Sequence, residues 1–85
     1  MSAQKYFTRL KNIDQLIQDE VTGRPKELAK KLDVSERMIY RYIQNMRDLG
    51  APLAFSNEKQ SYVYTNRVAL RVEIAYEPRG RRRAA

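Results

Sequence analysis

The chain has 85 residues and a formal charge of +7, from 17 lysines and arginines against 10 aspartates and glutamates. This length allows one compact domain and no second core, because domains typically run to about 100 residues. The absence of cysteine and histidine excludes disulfides, zinc–cysteine sites and serine–histidine or cysteine–histidine catalysis, and argues against an enzyme. The positive charge favours a polyanionic partner such as nucleic acid.

No segment of the sequence indicates a membrane or a ligand. The N-terminal residues lack the apolar core of a signal peptide, and no run approaches the roughly 20 apolar residues that cross a bilayer. We therefore expect a cytoplasmic protein without a membrane partner. No motif points to a cofactor, a metal ion or a small-molecule ligand.

Apolar residues at spacings of three and four predict three helices, over about residues 5–21, 25–32 and 35–49. Gly23 is the expected left-handed cap after the first helix. Pro25 suits the first position of the second helix, and Ser35 suits the N-cap of the third. Gly50 and Pro52 end the third helix. The side chains expected to face the core are Tyr6, Leu10, Ile13, Leu16, Ile17, Val21, Leu28, Ala29, Leu32, Ile39, Tyr42, Ile43, Met46 and Leu49.

The second half of the sequence predicts β-structure and a tail. Two β-prone runs flank the polar residues 57–60 and predict a hairpin over about residues 53–65, with Leu53, Phe55, Tyr62 and Tyr64 covering the helices. Strict alternation predicts a further strand within residues 66–77. This strand either folds onto its own domain or joins two copies in a twofold homodimer. Residues 78–85 are expected to form a disordered basic tail.

The order of these elements predicts an α+β fold: a three-helix winged helix-turn-helix domain with a β-hairpin wing and an additional C-terminal strand. The segment ELAKKLDVSERMIYRYI, residues 27–43, resembles the DNA-binding headpiece of bacterial winged-helix transcription regulators of the deoxyribonucleoside-repressor and WYL-domain type. Those headpieces share the pattern E-L-A-x-x-L followed by V-S-x-R-x-I-Y-R-x-I. LGAPL at residues 49–53 and Ser61-Tyr62 resemble their turn into the wing, so the resemblance covers roughly residues 5–65.

This resemblance implies a non-enzymatic transcriptional regulator that binds double-stranded DNA sequence-specifically, with the helix over residues 35–49 in the major groove. The sequence departs from the pattern at three positions. Arg24 stands where a serine or threonine cap is frequent, Asp33 where glycine is usual, and Met38 where threonine is frequent. Aspartate tolerates left-handed backbone angles better than most residues.

The candidate DNA contacts are exposed positions on or near the helix pair: Lys26, Ser35, Arg37, Tyr40, Arg41, Gln44 and Lys59. Those of the third helix lie opposite its apolar stripe or at its start, where backbone N–H groups face a phosphate. Arg37 and Arg41 can bond guanine edges or phosphates, and Gln44 can pair with adenine. Tyr40 can reach a phosphate or a thymine methyl group. The two lysines are placed to neutralise phosphates.

Two other functions stay open at this point. A winged helix can serve as a protein-interaction module without direct DNA readout, because fold does not fix function. RNA binding is the other, although Tyr42, Tyr62 and Tyr64 have the inward spacing of core residues rather than of a stacking surface. The run Arg81-Arg82-Arg83 is consistent with a minor-groove arm or with a nonspecific electrostatic tail.

Overall fold

Three helices and a hairpin follow one another in residues 3–71, the part of the chain that the computed structural model describes. They are α1 (Ala3–Gln18), α2 (Pro25–Leu32), α3 (Glu36–Asp48), β1 (Leu53–Ser56) and β2 (Ser61–Tyr64). The two strands pair antiparallel, with Leu53 opposite Tyr64 and Ser56 opposite Ser61. This arrangement confirms the predicted α+β winged-helix fold. Within residues 3–71, no helix is long and apolar enough to cross a membrane.

The core lies between the three helices and the hairpin. Periodic apolar residues on each helix meet there because burying each large side chain contributes about 1.5–3 kcal/mol. Tyr6 of α1 stacks on Tyr42 of α3 with ring centroids 5.3 Å apart, and Phe55 meets Tyr62 edge to face at 5.2 Å. The buried apolar residues are Leu10, Ile13, Ile17, Leu28, Ala29, Ile39, Tyr42, Ile43, Met46 and Tyr62.

The end of α1 differs from the prediction because Glu20, not Gly23, supplies the left-handed cap. Glu20 has φ 59°, and its N–H donates to the carbonyl of Ile17 while the Val21 N–H donates to the carbonyl of Leu16, both at 3.0 Å. These two bonds form a Schellman motif, which terminates the helix. The chain therefore turns before Val21, whose side chain is 51% exposed instead of lying in the core.

The turn between α2 and α3 has the geometry that a helix-turn-helix requires. Asp33 adopts left-handed angles, φ 56° and ψ 49°, in the place where glycine is usual. The Val34 N–H then donates to the carbonyl of Ala29 at 3.0 Å, which closes α2. Ser35 begins α3 as its N-cap, because its Oγ accepts a hydrogen bond from the Met38 N–H at 3.1 Å.

A buried pair of hydroxyls joins the hairpin to the α1–α2 turn. Thr22 and Ser61 are both fully buried, and their hydroxyl oxygens lie 3.1 Å apart. Ser61 Oγ accepts from the Thr22 N–H at 3.0 Å, while Thr22 Oγ1 accepts from the Tyr62 N–H at 2.8 Å. Because each buried polar group has a partner, the cost of removing it from water is offset. These bonds fix the position of β2 against the turn.

The additional strand predicted within residues 66–77 does not appear where the structure describes that segment. Residues 68–71 form neither helix nor strand. The Val68 carbonyl accepts a hydrogen bond from Gln18 Nε2 at 3.0 Å, and Leu70 packs against the core. This part of the chain is thus held to α1 and the core by side chains rather than by a β-ladder. Residues 72–77 and the predicted tail, residues 78–85, lie outside the described residues.

Replacing Ser61 with alanine is expected to destabilise the domain by about 1–3 kcal/mol, because the buried Thr22 N–H loses its acceptor. Urea unfolding followed by circular dichroism measures this change. Thr8→Ala, which removes an exposed hydroxyl from α1, is the matched control and should shift the free energy of unfolding by no more than about 0.5 kcal/mol. Equal effects of the two substitutions would contradict the role of the hydroxyl pair.

Tyr64 is expected to make the free energy of unfolding depend on pH in the alkaline range. Its hydroxyl donates to Asp14 Oδ1 at 2.6 Å, and burial together with this hydrogen bond raises the pKa of Tyr64 well above its ordinary value. Above about pH 10, the ordinary tyrosine pKa, the unfolded chain loses this proton while the folded chain keeps it, so the free energy of unfolding falls as pH rises. Tyr64→Phe should reduce that fall in urea titrations between about pH 8 and 11. An unchanged pH dependence in the variant would show that Tyr64 does not contribute.

Candidate nucleic-acid interface

One face of α3 is free of the core and carries most of the predicted contacts. Arg37, Tyr40, Arg41 and Gln44 are exposed, whereas the opposite face is buried. This division follows from helical geometry, because residues three and four apart share a face. The structure therefore brings these four side chains together on a single exposed surface, here called the α3 face.

The two arginines of the α3 face have no internal partner in the described part of the chain. Within residues 3–71, neither Arg37 nor Arg41 forms a hydrogen bond or an ion pair. They lie one helical turn apart, so the two guanidinium groups can reach neighbouring positions of one ligand. Each guanidinium offers a planar fork of N–H donors, which matches a phosphate or the acceptor edge of guanine.

Tyr40 and Gln44 are each bonded to a carboxylate of the same helix. The Tyr40 hydroxyl donates to Glu36 Oε2 at 3.2 Å, and Gln44 Nε2 donates to Asp48 Oδ1 at 2.9 Å. Both are i, i+4 pairs, which helical geometry brings together. In this conformation the Tyr40 hydroxyl gives its one proton to Glu36 and has none to donate to a phosphate.

The protonation state of Tyr40 is fixed at neutral pH. Partial desolvation, and then the hydrogen bond to Glu36 and the charge of Glu36, raise the pKa of Tyr40 above its ordinary value of 10.0. The hydroxyl therefore keeps its proton, and the side chain is 52% exposed. A half-exposed tyrosine ring held by its own helix presents a defined shape on the α3 face.

The start of α3 presents backbone donors beside the α3 face. The first N–H groups of a helix have no intrahelical acceptor. Ser35 satisfies one of them, that of Met38, and the N–H groups of Glu36 and Arg37 remain at the helix end. This end carries the positive side of the helix dipole, which favours a phosphate oxygen there.

The two predicted lysine contacts differ in their surroundings. Lys26 is exposed in the first turn of α2 and forms no ion pair within residues 3–71. Lys59 forms an ion pair with Glu20, with Nζ and Oε1 2.7 Å apart and both side chains partly exposed. This hydrogen bond and the charge of Glu20 raise the pKa of Lys59. Water and salt screen an exposed ion pair of this kind, so its net contribution to stability is small and exchanging Glu20 for a phosphate costs little.

Sequence reasoning missed the contacts that attach the wing tip to the helices. Arg24 Nε donates to Gln60 Oε1 at 2.5 Å, next to the ion pair of Lys59 with Glu20. Both contacts join residues more than thirty positions apart, and no local sequence pattern reports them. Together they hold the wing tip against the segment between α1 and α2, at Glu20 and Arg24.

The partners of Tyr40 and Gln44 were detectable in principle. Glu36 and Asp48 each lie four residues from their partner, which is the spacing of side-chain pairs on a helix.

No group of histidine, cysteine, aspartate or glutamate in residues 3–71 could hold a metal ion. The α3 face carries the arginine donors Arg37 and Arg41 and lies beside the carboxylate acceptors of Glu36 and Asp48.

A sequence model of the family described as "HTH domain" matches residues 8–62. The matched segment begins within α1, contains the helix pair, and ends within β2. It covers more than half of the chain and includes every predicted contact from Lys26 to Lys59. No curated protein and no solved structure gives a significant match.

Proposed function

The chain belongs to the HTH domain family, DNA-binding domains of the winged-helix type found in bacterial regulators, and we propose that it binds double-stranded DNA sequence-specifically as a transcriptional regulator. The observation that carries this proposal is the α3 face. Arg37 and Arg41 stand there without internal partners in the described part of the chain, on the helix that enters the major groove in a helix-turn-helix domain. The formal charge of +7 supports attraction to DNA.

In this function, two kinds of contact have separate roles. Lys26 and Lys59 bind phosphates, which sets the register of the protein on the duplex without reading sequence. Arg37, Arg41 and Gln44 bind base edges and discriminate between sequences. Gln44 first leaves Asp48, an exchange of one exposed hydrogen bond for another.

Replacing Arg41 with alanine is expected to weaken binding to the preferred duplex by about 1–3 kcal/mol and to relax the preference at one base position. Lys26→Ala is expected to weaken binding to all sequences alike and to lower the slope of log K against log salt by about 1. Fluorescence anisotropy with duplexes selected from a random pool, repeated at several salt concentrations, measures both quantities.

Lys11→Ala is the charge-matched control, because Lys11 is an exposed residue of α1 outside the predicted contacts. It should leave the base preference unchanged.

Salt-insensitive binding, or an Arg41→Ala protein with unchanged selectivity, would contradict the proposed function. Stronger competition by single-stranded RNA than by duplex DNA at equal salt would favour RNA binding. Tolerance of charge reversal at Arg37 and Arg41 would favour a protein-interaction module.

Homodimerisation through residues 66–77 stays a prediction, since residues 72–77 lie outside the described part. If this segment pairs between two copies, the purified protein will sediment as a dimer at tens of micromolar without DNA. The random-pool selection should then enrich two half-sites about one DNA turn apart. A monomer in sedimentation would exclude this dimer and leave the alternative, in which the segment folds onto its own domain.

A further inference from the structure

Glu36 and Tyr40 form a hydrogen-bonded pair at the end of α3 that enters the groove in the proposed function. Both side chains are exposed, and the Tyr40 hydroxyl donates to Glu36 Oε2 at 3.2 Å. No other hydrogen bond or ion pair engages the Glu36 carboxylate within residues 3–71. The second oxygen, Oε1, is therefore open to a ligand.

The pair offers acceptors and no free donor. An ionised glutamate only accepts hydrogen bonds, and Tyr40, whose proton is given to Glu36, presents lone pairs alone. A negatively charged acceptor repels a phosphate, so the pair does not serve as a backbone contact. The Glu36–Tyr40 pair is therefore complementary to a ligand group that donates a hydrogen bond.

The major groove contains only one kind of donor. Cytosine presents its N4 amino group and adenine its N6 amino group, whereas guanine and thymine present only acceptors and the thymine methyl group. A carboxylate at the groove-facing end of α3 is therefore complementary to an amino-bearing base. Arg37 and Arg41, one position and five positions further along the helix, provide the opposite chemistry for guanine.

We propose that Glu36 is a specificity-determining residue that accepts a hydrogen bond from the exocyclic amino group of a cytosine or an adenine, with Tyr40 as its positioning residue. This assignment rests on the proposed function. A purely structural role for Glu36 is the simpler explanation, because an acidic residue in the first turn stabilises a helix through the dipole. That role affects stability and leaves base preference unchanged, so the two explanations predict different measurements.

The experiment is selection from a random duplex pool with the unaltered protein, Glu36→Ala and Tyr40→Phe. The unaltered protein should enrich cytosine or adenine at one position, distinct from the position that Arg41→Ala relaxes. Glu36→Ala should reduce that enrichment by about fivefold or more, because alanine removes the acceptor, whereas glutamine could itself pair with adenine. Tyr40→Phe should reduce it at the same position by a smaller factor, because the carboxylate remains but is no longer held.

Asp19→Asn is the matched control. The Asp19 carboxylate also accepts from a side chain one turn away, Gln15 Nε2 at 3.2 Å, but it lies just after α1 and outside the α3 face. This variant makes the same change in charge and should retain every base preference. Thermal unfolding of each variant establishes that it is folded under the selection conditions.

Unchanged base preferences in Glu36→Ala would overturn the assignment, as would a uniform rise in affinity for all sequences, since that would make Glu36 a source of repulsion only. In both cases the salt-sensitive binding of the unaltered protein would leave the proposed function standing. Absence of salt-sensitive duplex binding by the unaltered protein would instead overturn the proposed function itself.

Discussion

The buried hydroxyl pair of Thr22 and Ser61 is the constraint on which the arrangement of the domain depends. It joins the turn after α1 to the second strand of the wing, and the same turn also accepts two hydrogen bonds from Lys31 of α2, at the carbonyls of residues 21 and 22. The helix α2 has only eight residues, which is too short to persist without packing. Gly23 tightens this junction, because a Cβ there would lie 2.9 Å from Glu27 Oε1. One small polar cluster thus positions α2 and the wing together.

The α3 face is exposed because the opposite side of α3 packs against α1. Tyr42 is buried against Tyr6 of α1, and Asn45 Nδ2 donates to the Tyr6 hydroxyl at 3.0 Å. These contacts fix the rotation of α3 about its own axis, so the arginines are directed away from the core by packing and not by any contact of their own. Their side chains are left without internal partners in the described part of the chain.

The sequence predicted those features that depend on neighbours within a few residues. Helical spacing identified the core face of α3, Ser35 indicated its N-cap, and the polar run at residues 57–60 located the wing. The cap of α1 was missed because local preference favours glycine in the left-handed conformation, whereas the structure has Glu20 in that conformation. Leu49 was expected in the core but is 73% exposed, because it follows the last turn of α3 and the chain bends away at Gly50.

The contacts between distant residues could not be predicted from local patterns. Thr22 and Ser61 are ordinary surface residue types, and only the fold makes them a buried pair. The candidate site shows the same limit: the exposed positions of α3 followed from periodicity, but the ion pair that engages Lys59 links residues 39 positions apart. Alternation after residue 66 predicted a strand, yet the Val68 carbonyl accepts a hydrogen bond from Gln18 of α1 and the Leu70 side chain packs against the core. Alternation with a period of two indicates which side chains point the same way in an extended segment. It does not indicate whether that segment pairs with another strand or packs against helices.

Carboxylates within a basic surface change the balance between affinity and specificity. Phosphate contacts strengthen binding to every sequence equally, so an acidic residue on the DNA-facing side weakens that common background. The affinity lost through this acidic residue is regained only where a base donates a hydrogen bond to it. Under the proposed function, Glu36 and Asp48 therefore lower nonspecific binding along the whole duplex, and Glu36 restores part of the affinity at a site with a correctly placed amino group. The ratio of specific to nonspecific binding rises even though the net positive charge of the surface falls.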